Sequence, residues 1–91
     1  MDRIALIEQA LAKLSPTELA IQDDSHKHAG HAGARDGRGH FSVLIVSSSF
    51  DGLSSIKRHQ LVYQALSGLL ESDIHALAIK ARTPAEAGRQ G

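Results

Sequence analysis

The sequence has no cysteine and no tryptophan, and it contains only two prolines, one tyrosine and two phenylalanines among 91 residues. Without cysteine the chain forms no disulfide and offers no thiolate, so any metal site must use histidine or carboxylate ligands. Because aromatic residues make up 3% of the chain, the core must consist mainly of Leu, Ile, Val and Ala. No apolar run approaches the roughly 20 residues of a membrane span, so we expect no membrane partner.

An excess of one charge sign is also missing, since ten basic and ten acidic residues cancel. A neutral chain has no overall attraction to nucleic-acid phosphates, so nucleic-acid binding would need a local basic patch. The composition, 42% hydrophobic and 22% charged, is typical of one folded domain. The first residues include the acidic Asp2 and Glu8 and do not resemble a secretory or transit leader. We therefore expect a cytoplasmic protein.

Histidine, in contrast, is abundant. Four of the six histidines lie in the stretch SHKHAGHAGARDGRGHF, residues 25–41. The glycines of this stretch disfavour regular structure, so it is predicted to be a loop. His26, His28 and His31 have the residue type that binds zinc, nickel or iron, although polar residues in loops are more often simply solvated. The residues alone leave both interpretations open.

The spacing of apolar residues predicts the element order α-β-β-α-β-(α). Ile4, Ile7 and Leu11 form one stripe of the first helix, and the run F-S-V-L-I-V is typical of a central strand. The predicted elements are a helix over 2–14, strands over 18–22 and 41–46, a helix over 54–70, a strand over 74–79 and a short helix after Thr83.

This order predicts an α+β fold. A strand, a helix and a strand in sequence form a right-handed crossover with parallel strands, and the first two strands can pair as antiparallel neighbours. We therefore expect one domain over 1–91, with a three-stranded mixed sheet and helices packed on one face. Its ordered core is predicted at about 2–84, a flexible His/Gly loop at 24–40 and a frayed tail at 85–91.

Two side-chain placements follow from the same periodicities. On the second long helix His59 falls on the apolar face with Val62 and Tyr63, which predicts a core histidine. On the third strand, strict alternation places His75, Leu77 and Ile79 on one side.

Several short stretches together resemble the signature of the BolA family. The first is F-D-G-L-S at 50–54, continued by R-H at 58–59 and L-V-Y at 61–63, and the second is I-H-A-L at 74–77. The G-H-A-G loop at 30–33 and H-F at 40–41 also match, so the resemblance covers roughly residues 4–84. It implies a KH-like fold of the class II type, with the element order derived above.

The resemblance implies that the protein binds a monothiol glutaredoxin and shares a [2Fe–2S] cluster with it, in iron–sulfur trafficking or iron regulation. The glutaredoxin cysteine and a glutathione thiolate would ligate one side of the cluster. His75 and, by position, His31 would ligate the other side, with His28 and His26 as alternatives for the loop ligand. No cofactor is expected in the isolated protein.

The resemblance also implies an alternative function, a DNA-binding transcriptional regulator that uses a helix-turn-helix-like segment over 50–66. Lys57 and Arg58, together with Lys80 and Arg82, would then form the local basic patch that the neutral chain needs. We expect such binding to DNA to be weak. No set of nucleophile, base and acid stands out in the sequence, so we expect no enzyme.

Overall fold

The computed structural model describes residues 2–24 and 39–88. Its element order confirms the α+β prediction, except that the predicted helix over 54–70 is interrupted at Leu66 and forms two helices. Short 3₁₀ turns follow the first helix, at Ala12–Leu14, and the second strand, at Ser48–Phe50. The elements are α1 (Arg3–Leu11), β1 (Glu18–Asp23), β2 (Gly39–Val46), α2 (Ser55–Ala65), α3 (Ser67–Ser72), β3 (Ile74–Arg82) and α4 (Pro84–Gly88).

The strands of the described residues form one sheet in the order β1-β2-β3. β1 and β2 pair antiparallel and β2 and β3 pair parallel, which confirms the predicted mixed sheet. In the central strand β2, Phe41, Val43 and Ile45 alternate toward the helices and are buried. This alternation leaves the other face of β2, with Ser42 and Leu44, only half-buried.

The core lies between the helices and that one face of the sheet. Ile7 and Leu11 from α1 meet Val62 and Leu66 from the α2 region, and all four are fully buried against the strands. Burial of each such aliphatic side chain contributes about 1.5–3 kcal/mol before chain entropy is counted. The packing therefore fixes the helices on one face, as predicted.

Three of the five residues in the F-D-G-L-S stretch, 50–54, have roles in the fold. Phe50 is fully buried in the core. Gly52 has φ +76°, a left-handed conformation that strains residues with a side chain. The Ser54 hydroxyl accepts a hydrogen bond of 3.3 Å from the Lys57 backbone N–H and so caps α2.

A capping box starts α4. The Thr83 hydroxyl accepts from the Glu86 N–H at 3.1 Å, and the Glu86 carboxylate accepts from the Thr83 N–H at 2.9 Å. Pro84 occupies the first helical position, where no N–H is needed. Because these bonds hold the helix to Gly88, the prediction of a frayed tail is wrong for residues 85–88, while 89–91 lie outside the described residues.

The orientation of α2 differs from the prediction. His59 is exposed, as are Ile56 (71%) and Tyr63 (40%), so the prediction of a core histidine is wrong. Arg58 is the residue of this turn that points inward, because its guanidinium donates to the Ala81 carbonyl at 3.1 Å. The bonds of Arg58 to the end of β3 and to Glu86 of α4 thus set the rotation of α2 about its axis.

Candidate functional site

His75 lies in a β-bulge. Gly39 pairs with Ile74 but His40 pairs with Ala76, so β3 has one extra residue at this point, His75. Ile74 is buried, His75 is exposed, and Leu77 returns to the half-buried side. The prediction that His75 shares a side with Leu77 and Ile79 is therefore wrong, because the bulge interrupts the two-residue period and turns the imidazole to solvent.

His40 lies beside His75. The centroids of the two imidazole rings are 5.0 Å apart and the ring planes are inclined by 51°. His40 is the second residue of β2 and His75 the second residue of β3, and the two strands run parallel from the same end. Sequence reasoning used His40 only as part of a motif. The signal for this pair was that His40 directly precedes the predicted strand over 41–46, while His75 is the second residue of the parallel strand predicted over 74–79.

The loop histidines His26, His28 and His31 lie outside the described residues, so their predicted role stays a prediction. The two residues that flank the segment 25–38 are described. The Asp24 N–H donates to the His40 carbonyl at 2.7 Å, and the Gly39 N–H donates to the Asp73 carbonyl at 2.9 Å. Both ends of that segment are therefore anchored next to the His40–His75 pair.

Acidic groups surround this end of the sheet. Asp24 lines a cleft of about 250 Å³ together with His40 and Ser42, and its carboxylate accepts a hydrogen bond from the Ser42 hydroxyl. A hydrogen bond from the Ser72 hydroxyl, and then one from Arg3, lower the pKa of Asp73 below its ordinary value. The Asp73 carboxylate thus stays ionised at neutral pH, and it forms an ion pair with Arg3 at 3.3 Å.

The carboxyl end of β3 has the opposite character. The Arg58 guanidinium donates to both carboxylate oxygens of Glu86, at 2.7 and 3.1 Å, and to the carbonyls of Leu53 and Ala81. The hydrogen bond from Arg58, followed by the one from the Thr83 N–H, lowers the pKa of Glu86 to about 2. Because its donors are engaged within the fold, Arg58 acts first as a clamp between α2, β3 and α4.

Three of the four predicted DNA-binding residues meet in one cleft. Arg58, Lys80 and Arg82 line a space of about 320 Å³ between β3, α2 and α4, together with His59. Lys80 is exposed and Arg82 is half-buried, so both cations can meet a ligand from solvent. Lys57 is exposed on α2 but does not line this cleft.

Two features are absent from the described part of the chain, a group of three or more metal-binding side chains and a membrane-spanning helix. Within residues 2–24 and 39–88, no group of three or more His, Cys, Asp or Glu is close enough to hold a metal ion by itself. No helix in these ranges has the length and apolar character to cross a membrane. A cluster at His75 would therefore need ligands from elsewhere.

Comparison with known proteins gives consistent results. The family model described as BolA-like protein matches residues 10–86. Chloroplastic protein BOLA1 of Arabidopsis thaliana is 46% identical over 82 residues, which cover 87% of this chain and 51% of that protein. The SufE-like protein 1 (chloroplastic/mitochondrial) of the same plant is 48% identical over 84 residues, covering 87% of this chain and 23% of that protein. This chain thus spans about half the length, or less, of these two relatives.

Two further matches cover more of the matched chain. The DNA-binding transcriptional regulator BolA of Haemophilus influenzae is 40% identical over 82 residues, covering 89% of this chain and 77% of that protein. The structure of the BolA domain of SufE1 from Arabidopsis thaliana superimposes with a TM-score of 0.82 at 45% identity, covering 94% of this chain and 96% of that one. Because plant relatives are named for organelles, a cytoplasmic location for this chain stays a prediction.

Proposed function

Because the chain belongs to the BolA-like protein family, we propose that it is an iron–sulfur adaptor that shares a [2Fe–2S] cluster with a monothiol glutaredoxin. The observation that best supports this proposal is the exposed imidazole of His75 on the bulge of β3. In the complex His75 would ligate one iron, and His31 would be the second ligand, with His28 and His26 as alternatives. The glutaredoxin cysteine and a glutathione thiolate would ligate the other iron.

The donor set is compatible with a shared cluster. A [2Fe–2S] cluster needs four ligands, usually thiolates, and this chain has no cysteine. Imidazole replaces cysteine in Rieske centres and raises their reduction potential, so a histidine ligand is chemically sound. Because this chain supplies only part of the ligand set, the cluster is cargo held jointly with the partner, and a carrier role is favoured over catalysis.

The surroundings of His75 also support the proposal. The backbone of β3 is paired with β2 on both sides of the bulge, so the position of the ring is set by the sheet. The segment with the other candidate ligands starts after Asp24 and ends before Gly39, and both flanking residues are bonded to this end of the sheet. Because the chain enters and leaves that segment beside His75, the loop-closure entropy of bringing one of its histidines to a cluster there is small.

The test is a titration of cluster-loaded monothiol glutaredoxin with the cluster-free protein, followed by visible absorption and circular dichroism. We expect a new spectrum that saturates at equal amounts of the two proteins. His59→Ala, which changes an exposed histidine on α2, should give the same titration. An unchanged glutaredoxin spectrum at micromolar concentrations would overturn the proposal.

A second function is supported by the basic cleft at the carboxyl end of β3. The Haemophilus relative is named a DNA-binding regulator, and Lys80 and Arg82 with Arg58 give this chain a local concentration of positive charge. We propose weak and largely non-specific DNA binding, because the chain is neutral overall and Arg58 is engaged by Glu86. Nanomolar affinity for one defined duplex at physiological salt would reverse the order of the two proposals.

A further inference from the structure

We propose that the free protein binds one Zn²⁺-class divalent cation between the imidazoles of His40 and His75. These two rings approach each other to a centroid distance of 5.0 Å across the start of the β2–β3 pairing. The proposal adds His40, which belongs to the described strand rather than to the loop, as a metal ligand. It concerns the isolated chain and does not depend on glutaredoxin.

The separation of the rings suits one shared metal ion. A histidine nitrogen binds zinc at about 2.0–2.1 Å, which puts the ring centroid about 3.2 Å from the metal. At a tetrahedral angle, two such rings have centroids roughly 5 Å apart. The observed separation of 5.0 Å is therefore close to the one that a shared metal ion requires, and the paired strands already hold the two rings at that spacing.

The backbone of both ligands is already ordered. His40 pairs with Ala76 in the parallel ladder, and the His40 carbonyl also accepts from the Asp24 N–H at 2.7 Å. The residue before it is tied to the start of β3 by the bond from the Gly39 N–H to the Asp73 carbonyl. Zinc binding therefore costs little backbone entropy. Two ligands that are held in place in this way bind one ion more tightly than either ligand alone.

The charge near the pair selects a cation. The Asp24 carboxylate shares the cleft of about 250 Å³ with His40, whereas the carboxylate of Asp73 is paired with Arg3 at 3.3 Å. Imidazole suits zinc, copper and nickel, whereas magnesium and calcium prefer oxygen ligands. Since His75 is exposed, water would complete the coordination, so the site resembles an open site rather than a closed structural one.

The experiment is a zinc titration of the full chain labelled with ¹⁵N-histidine, read from the ring nitrogen resonances and repeated by calorimetry. We expect the His40 and His75 rings to shift together along one saturation curve, and EDTA should reverse the shift. The His59 ring, on the far side of the molecule, should not shift with that curve. Replacement of His26, His28 and His31 by Gln should leave the curve in place, because the loop histidines are not its ligands.

The matched variants are His40→Ala, His75→Ala and His59→Ala. Loss of either strand ligand should weaken zinc binding at this site at least about tenfold, because a chelate becomes a single contact. His59→Ala should not change the affinity. His40→Gln provides a second variant should His40→Ala fail to fold. If the rings of His40 and His75 stay unshifted at saturating zinc, or if only His75 proves necessary, the two-histidine site is wrong.

Discussion

The two ends of β3 have opposite chemistry. The amino end has His75 and the neighbouring His40 beside the carboxylate of Asp24, whereas the carboxyl end has Lys80 and Arg82. The seven-residue separation from His75 to Arg82 places these ends roughly 23 Å apart. A net charge of zero therefore conceals one end with histidines and a carboxylate and another end with cationic side chains.

The ends also differ in the exposure of their central polar side chain. At the carboxyl end Arg58 is bonded to Glu86 and to two backbone carbonyls, and its side chain is only 15% exposed. At the amino end the bulge turns His75 outward to solvent. The comparison indicates that Arg58 at the carboxyl end stabilises the fold, whereas the amino end presents an exposed imidazole.

Removal of His75 should have the largest effect. In the complex with glutaredoxin, His75→Ala should abolish the shared-cluster spectrum or change it severely, because the sheet fixes this ring and no other residue of β3 can replace it. His31→Ala should be milder, since His28 or His26 can substitute. Visible circular dichroism of the reconstituted complexes measures both. If His31→Ala is the more damaging change, the loop and not the strand is the main anchor.

Acid should weaken the carboxyl end specifically. The pKa of Glu86 is about 2, below its ordinary value of 4.5. At pH values between these two, the folded state therefore binds fewer protons than the unfolded state. The stabilisation that ionised Glu86 provides is therefore complete at pH values above its ordinary pKa, and it is lost as the pH falls from about 5 toward 2. The melting temperature should fall more across this window in the wild-type protein than in Glu86→Gln.

Glu71→Gln, on the exposed surface of α3, is the matched control for that experiment. It should follow the wild-type melting curve at each pH. At neutral pH Glu86→Gln should already melt several degrees lower, because it weakens the Arg58 pairing and the cap of α4. Parallel pH profiles for Glu86→Gln and the wild type would show that the clamp does not contribute to stability.

The basic cleft should determine the salt dependence of DNA binding. If Lys80 and Arg82 contact phosphates, replacing both by Ala should reduce the slope of log affinity against log salt by about one to two units. Lys57→Ala should change the slope less, because this residue lies outside the cleft. Fluorescence anisotropy with a labelled duplex at several salt concentrations gives the slopes. Equal slopes for the wild type and the double variant would exclude the cleft as the contact surface.

The smallest effect is expected at His59. Because its side chain is exposed, His59→Ala should change the free energy of unfolding by less than about 0.5 kcal/mol. Leu66→Ala, in the fully buried core, should cost about 2–5 kcal/mol in the same urea titration. A loss of stability from His59→Ala close to that of Leu66→Ala would mean that His59 is buried after all.

The sequence predicted those features that depend on local patterns. The strand over 41–46, the start of the second long helix at residue 54 and the short helix after Thr83 are each encoded within a few neighbouring residues, and all three are present. The mixed sheet followed from chain connectivity. The ligand role of His75, which the family signature implies, stays a prediction.

The missed features depend on pairs of distant residues. The bulge at His75 is a property of the register between β2 and β3, and neither strand shows it alone. The rotation of α2 follows from the bonds of Arg58 to Ala81 and Glu86, which are 23 and 28 residues away. His40 was overlooked for the same reason, since its proximity to His75 exists only after the strands have paired.

The central claim is that an imidazole of this chain ligates the cluster in the glutaredoxin complex. Pulsed electron paramagnetic resonance of the reduced complex tests it most directly when only this chain is labelled with ¹⁵N-histidine. We predict a ¹⁵N coupling to the cluster that is weakened or lost in His75→Ala and retained in full in His59→Ala. A reduced cluster in the complex without any ¹⁵N coupling from this chain would contradict the account.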